Sequence, residues 1–207
     1  MYKAIIWDFD GTLFNSYPHI VNSFKRSLME HGIYESYDDI LSNVKVSVTY
    51  AINKYKEKYN ISDEIIQLFC KYEAEDNYKS VKPYLGAVEI CEKIHHSGGR
   101  NYMFTHRGKS ALKYLNYYKM DTLFYYTITK DNNFRKKPEA DAIFYIIEKF
   151  NEKKDDILMI GDRKIDIIAA HNAGIKACLF DPDCIEGNSD ADYKIKLMDE
   201  LSEIIGI

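Results

Sequence analysis

A run of only four apolar residues, Ala4-Ile5-Ile6-Trp7, breaks off into Asp8-Phe9-Asp10-Gly11, and beyond it the chain is helical in pattern for a long stretch. The run suits a buried strand and is too short for a helix, while the change to Asp and Gly is turn chemistry. Two carboxylates are therefore expected at the C-terminal end of a strand over 4–9. Through 15–80 the apolar residues keep helical spacing: Ile20, Phe24 and Leu28; Val48, Ala51, Ile52 and Tyr55; Ile65, Leu68, Phe69 and Tyr72. Between two of these helices lies Asn60-Ile61-Ser62-Asp63, with Ser62 or Asp63 placed as an N-cap. This segment reads as a small helical bundle.

After Pro83 the rhythm changes to alternating helices and strands. A helix with Val88, Cys91 and Ile94 on its inner face ends at Gly98-Gly99, a C-terminal signal. Then come a strand over 101–105, a helix near 110–118, a strand near 124–129 and a helix starting at Pro138 that carries Ile143, Ile146, Ile147 and Phe150 on one face. A strand over 157–160, a helix near 165–173, a strand over 175–180, a short strand at 193–195 and a final helix complete the series. Such alternation predicts an α/β fold, a Rossmann-like parallel sheet with helices on both faces, built from 1–14 and 81–207 and carrying an inserted α-helical domain at 15–80. In open α/β sheets the loops after the strands gather at one edge, and ligands bind there.

That edge collects a specific set of side chains: Asp8 and Asp10 after the first strand, Thr105 after the second, Lys137 after the third and Asp162 after the fourth. Taken singly, each is ordinary. A lone Asp-x-Asp-Gly is more often a turn, and Lys137 sits in a basic run, Arg135-Lys136-Lys137, that could simply be solvated. Together they place hard anionic oxygens, which repel without a cation, beside a hydroxyl and an ammonium. Magnesium takes such oxygen ligands and shares its coordination with water and substrate phosphate. Phosphoryl transfer is catalysed by positioning and by cations and donors aimed at the equatorial oxygens.

Asp8-Phe9-Asp10-Gly11-Thr12-Leu13, Thr105, Lys137-Pro138 and Gly161-Asp162-Arg163-Lys164-Ile165-Asp166 resemble, in order and spacing, the four motifs of the haloacid dehalogenase-like hydrolase superfamily. The resemblance spans essentially the whole chain, and the helical insert resembles the family's small cap domain. It implies a phosphatase in which Asp8 is the nucleophile and forms an aspartyl-phosphate. Asp10 would be the general acid and then the base for water. The magnesium ligands would be an Asp8 carboxylate oxygen, the Asp10 backbone carbonyl and Asp162, with Asp166 outside them orienting a metal-bound water or Lys137. Thr105 and Lys137 would bind the phosphoryl group of a small phosphorylated metabolite, phosphoglycolate-like or otherwise.

One departure from the family pattern is that Thr105 is followed by His106 and Arg107 rather than by a small polar residue or asparagine. The pair either faces solvent at the start of a helix, or Arg107, and less readily His106, offers a cation to a second anionic group on the substrate. An acid two residues after the nucleophile argues against carbon–halogen or carbon–phosphorus cleavage. The alternatives are a sugar phosphomutase, whose substrate loop the stretch Val44-Lys45-Val46-Ser47-Val48-Thr49 does not resemble, and a non-catalytic binding protein on the same fold.

The formal net charge of -4 comes from mixed acids and bases and gives no basic excess for a nucleic-acid partner. The first apolar run is too short for a signal-peptide core, and no apolar run approaches the roughly 18 residues of a membrane span. Cys70, Cys91, Cys178 and Cys184 show no metal or redox spacing. A cytoplasmic monomer or homodimer is expected.

Overall fold

The computed structural model describes residues 2–75, 78–184 and 190–207. The chain divides into two compact units, one of Met1–Phe14 with Pro83–Ile207 and one of Asn15–Lys82.

In the larger unit, β1 (Ala4–Trp7) is joined by β4 (Arg100–Phe104), β5 (Phe124–Ile128), β6 (Ile157–Gly161), β7 (Lys176–Phe180) and β8 (Tyr193–Ile195) in one sheet of order β5-β4-β1-β6-β7-β8. All five pairings are parallel, and β1 lies inside, with Ala4 opposite Arg100 on one side and Ile157 on the other. Every residue of β1 is buried, as expected for a strand covered on both faces. The connecting helices are α5 (Ala87–His96), α6 (Ser110–Tyr117), α7 (Asp141–Phe150), α8 (Lys164–Ala173) and, at the end, α9 (Leu201–Ile205). Alternate strand residues Ala4, Ile6, Tyr102, Phe104, Met159 and Leu179 form one core with α7 and α8. Strand side chains alternate between faces, so Trp7 and Asn101 project to the other face. There Asn101 accepts from Trp7 Nε1 at 3.0 Å and donates to the Cys91 carbonyl of α5 at 2.9 Å.

The smaller unit packs α1 (Tyr17–Met29), α2 (Tyr37–Val46), α3 (Val48–Tyr59) and α4 (Asp63–Ala74) around Ile20, Phe24, Leu28, Ile40, Val44, Tyr55, Ile65 and Phe69. Asp76 and Asn77, within the segment expected to be helical, lie outside the described residues. β2 (Phe14–Asn15) and β3 (Lys82–Pro83) form a separate two-stranded sheet.

Three elements differ from the sequence-based expectation. Helix α2 is an addition to it; its apolar residues are few, but Ser36 caps it by accepting from Asp39 N–H at 3.0 Å. Helix α7 begins at Asp141 and not at Pro138, because residues 136–139 are taken up by a turn in which Glu139 N–H donates to the Lys136 carbonyl at 3.0 Å. Lys137 therefore sits in a loop ahead of the helix, and the Lys137-Pro138 peptide is cis. In α5 the buried face is Ala87, Ile90, Cys91 and Ile94, with Val88 only half-buried. All four cysteines are free thiols, and among the described residues no helix is long and apolar enough to cross a membrane.

Candidate active site

Asp8 follows the last residue of β1 and is held there by its own N–H, which donates to the Ile160 carbonyl of β6 at 2.9 Å. The chain then turns sharply through Gly11, whose φ of 77° is in the left-handed region that glycine adopts without strain. Asp162 follows β6, and Asp166 lies in the first turn of α8. Carboxylate oxygens of Asp8, Asp162 and Asp166 fall within 4.8 Å of one another, and all three residues are buried. Gly161 makes this approach feasible: a Cβ there would stand 2.3 Å from Asp166 Cβ, closer than any real contact.

Lys137 Nζ, fully buried, donates to Asp8 Oδ1 and to Asp166 Oδ1, each at 2.6 Å. The two carboxyls respond differently to this shared partner. Burial pushes the Asp8 carboxyl up to about 6; Lys137 and Arg163 pull it down, and Asp166 reinforces the rise. Burial also acts on Asp166, yet Lys137 and Arg163 hold it below the ordinary carboxylate range. Asp166 Oδ2 accepts a further bond from Arg163 N–H at 3.1 Å, whereas Asp8 Oδ2 is buried and has no hydrogen-bond partner. Lys137 is itself raised: burial disfavours its charge, but Asp166 and Asp8 outweigh that cost.

Three buried carboxylates bring their oxygens together at one place, and one oxygen, Asp8 Oδ2, is orphaned in the protein interior. A buried unpaired carboxylate oxygen is costly, so this donor set, oxygen only, fits a hard divalent cation such as magnesium.

The remaining expected residues form two linked contacts. Thr105, buried at the end of β4, accepts from Arg107 N–H at 3.0 Å through Oγ1, which leaves its hydroxyl proton directed elsewhere. Arg107 reaches Asp10, with Nη2 at 2.9 Å from Oδ1 and Nε at 3.0 and 3.2 Å from Oδ1 and Oδ2. Its side chain is only 7% exposed, so it does not face solvent. His106 instead turns to Lys137, whose backbone N–H donates to His106 Nε2 at 2.8 Å. The Asp10 side chain is thus bonded by Arg107.

Two further participants are not singled out by sequence reasoning. Thr12 Oγ1 donates to Asp162 Oδ1 at 3.4 Å, and Arg163 adds its charge to Asp8, Asp166 and His106. Both stand inside the motifs already quoted, next to named residues, and that adjacency is the available signal.

Residues 5–180 match the family model of the haloacid dehalogenase-like hydrolases. The pyrophosphatase PpaX of Halalkalibacterium halodurans is 25% identical over 213 residues, covering 99% of this chain and 97% of its own. A predicted phosphoglycolate phosphatase from Haemophilus somnus superposes with a TM-score of 0.85 at 22% identity, over 98% of this chain and 97% of its own. The candidate HAD-hydrolase YfnB of Bacillus subtilis, solved bound to magnesium, gives 0.79 at 18% identity over 100% and 99% of the two chains.

Proposed function

The chain belongs to the haloacid dehalogenase-like hydrolase family and is a phosphatase, and on that premise we propose that it cleaves a small phosphorylated metabolite through an aspartyl-phosphate on Asp8. The observation that carries this reading is the state of Asp8. One oxygen is fixed by Lys137, and the other is buried without a partner at the end of a fully buried strand.

One carboxylate oxygen of Asp8 attacks phosphorus, the other being left to the metal, and the bond to the leaving oxygen breaks. Asp10 gives that oxygen a proton. Water then attacks the acyl phosphate while Asp10 takes its proton back, releasing phosphate and restoring both carboxyls. Lys137 and the Thr105 hydroxyl bind the phosphoryl oxygens. Asp166 keeps Lys137 oriented and charged.

Magnesium would be held by an Asp8 carboxylate oxygen, the Asp10 backbone carbonyl and Asp162. When bound it would screen the repulsion between Asp8 and the phosphoryl group and polarise the latter. Support comes from the clustered buried carboxylates with the orphaned Asp8 Oδ2, and from the similar fold of YfnB, which was solved bound to magnesium. The inserted helical unit corresponds to the family's cap, in which substrate choice resides. Four free cysteines and the mixed surface charge suit a cytoplasmic enzyme of small-molecule metabolism.

The test is phosphate release from a panel of esters and anhydrides, including pyrophosphate and phosphoglycolate, ranked by kcat/KM with and without magnesium. Activity is expected to vanish in excess chelator while the far-ultraviolet circular dichroism stays unchanged, and to return on adding magnesium, because the site lies on a pre-formed sheet edge. Full turnover in chelator would overturn the metal reading, and inactivity towards the whole panel in magnesium would overturn the phosphatase reading of the site.

A further inference from the structure

Arg107 is anchored by contacts that do not involve Asp10. Its backbone N–H is bonded to Thr105 Oγ1, and its carbonyl accepts from Lys130 N–H at 3.1 Å, so this position is tied to the loops after two adjacent strands. The guanidinium carbon lies 5.4 Å from the Phe9 ring centre and 5.6 Å from that of Tyr114. Those two rings also pack on each other at 5.7 Å. Cation–aromatic contacts of this kind hold a guanidinium in place when it is shielded from water. Asp10 is the more open partner, its side chain 22% exposed against 7% for Arg107. Of the two, the arginine is the more enclosed and has its own anchors.

We propose that Arg107 is a positioning residue for Asp10. The planar fork fixes the plane and rotamer of the carboxyl, so that one oxygen stays within proton-transfer reach of the leaving-group oxygen and later of water. A lysine in this position would be a point charge and would leave the carboxyl plane free to turn. Arg107 is accordingly committed to the acid–base group and does not read a second anion on the substrate. The inference rests on the acid–base role given to Asp10 above.

A carboxyl out of position fails most where the leaving oxygen most needs its proton. The test measures kcat/KM, which reports transfer to Asp8, for native protein, Arg107→Ala, Arg107→Lys and Asp10→Asn on 4-nitrophenyl phosphate, phenyl phosphate and pyrophosphate. Positioned general acids contribute roughly 100- to 10,000-fold. Arg107→Ala should therefore lose about tenfold or more on phenyl phosphate and less than about threefold on 4-nitrophenyl phosphate, with Arg107→Lys between it and native protein. The two rates come from one preparation, so a partly folded variant lowers both alike and leaves their ratio unchanged. Asp10→Asn should show the same dependence more steeply.

A steep dependence for Asp10→Asn with a flat one for Arg107→Ala would overturn the positioning role alone. A flat pattern for Asp10→Asn would overturn the acid–base reading beneath it. An Arg107→Ala loss equal on the two aryl esters and far larger on pyrophosphate would return Arg107 to recognition of a second anion.

Discussion

His106 follows Thr105 directly, yet its ring serves a different segment, accepting from the Lys137 backbone N–H across 31 positions of sequence. Only a neutral imidazole can accept there. Burial, reinforced by the charges of Lys137 and Arg163 and opposed by Asp166, depresses its pKa from 6.5 to about 3. Between those values the unfolded chain binds a proton that the folded chain does not. The contribution of His106 to stability is therefore complete above about 6.5 and is lost as pH falls towards about 3. His106→Gln, which keeps an acceptor but cannot titrate, should lose less Tm than native protein between about pH 7 and about pH 4.5. Parallel Tm curves for the two proteins would show that His106 is not held neutral. Residues of this kind mark the limit of reading from sequence. Asp8, Lys137 and Asp162 are legible because strand ends and loop order bring them to one edge, while Asp166 is reached only through the resemblance of the Gly161 to Asp166 stretch to a family motif. The partners of His106 and Arg107 are not legible, since spacing says where a side chain starts and not which way it turns.

At the scale of elements, the β6–α8 turn decides whether the cluster forms. Gly161 ends β6, and its missing Cβ is the space that Asp166 occupies while it bonds Lys137 and Arg163 N–H. Gly161→Ala would put a methyl 2.3 Å from Asp166 Cβ, against a backbone that cannot yield because β6 is paired on both sides. Overpacking of this sort costs about 1–3 kcal/mol. Urea unfolding of Gly161→Ala should show a loss of that size, with kcat reduced at least tenfold, roughly the effect of 1.4 kcal/mol on a barrier. Native stability and kcat would mean that Asp166 can sit elsewhere without consequence. The strands are readable because each is a short apolar run closed by turn chemistry. Helix α2 is harder, since Ile40 and Val44 are its only buried apolar residues and the Ser36 cap carries much of the signal. The start of α7 is easily misplaced because Pro138 resembles a first-turn proline, while the chain uses residues 136–139 for the turn that presents Lys137.

For the molecule as a whole, an α/β unit carrying the carboxylate cluster and a helical unit inserted after the first motif divide the chain. The alternation of strands and helices makes the α/β unit legible, and helical periods at 20–28, 48–55 and 65–72 mark the insertion. Substrate identity is not legible, because the insertion shows no substrate-diagnostic motif. The proposed covalent phosphoryl group on Asp8 belongs to the whole catalytic cycle and can be sought directly. Native protein turning over 4-nitrophenyl phosphate in magnesium is quenched in acid, reduced with borohydride and digested, and the peptide spanning Asp8 is weighed and sequenced. An acyl phosphate at Asp8 is reduced to homoserine. Homoserine is expected at position 8, dependent on substrate and magnesium and absent in Asp8→Asn, whereas unmodified Asp8 throughout rapid, sustained turnover, or homoserine at another carboxylate, would rule out the covalent step.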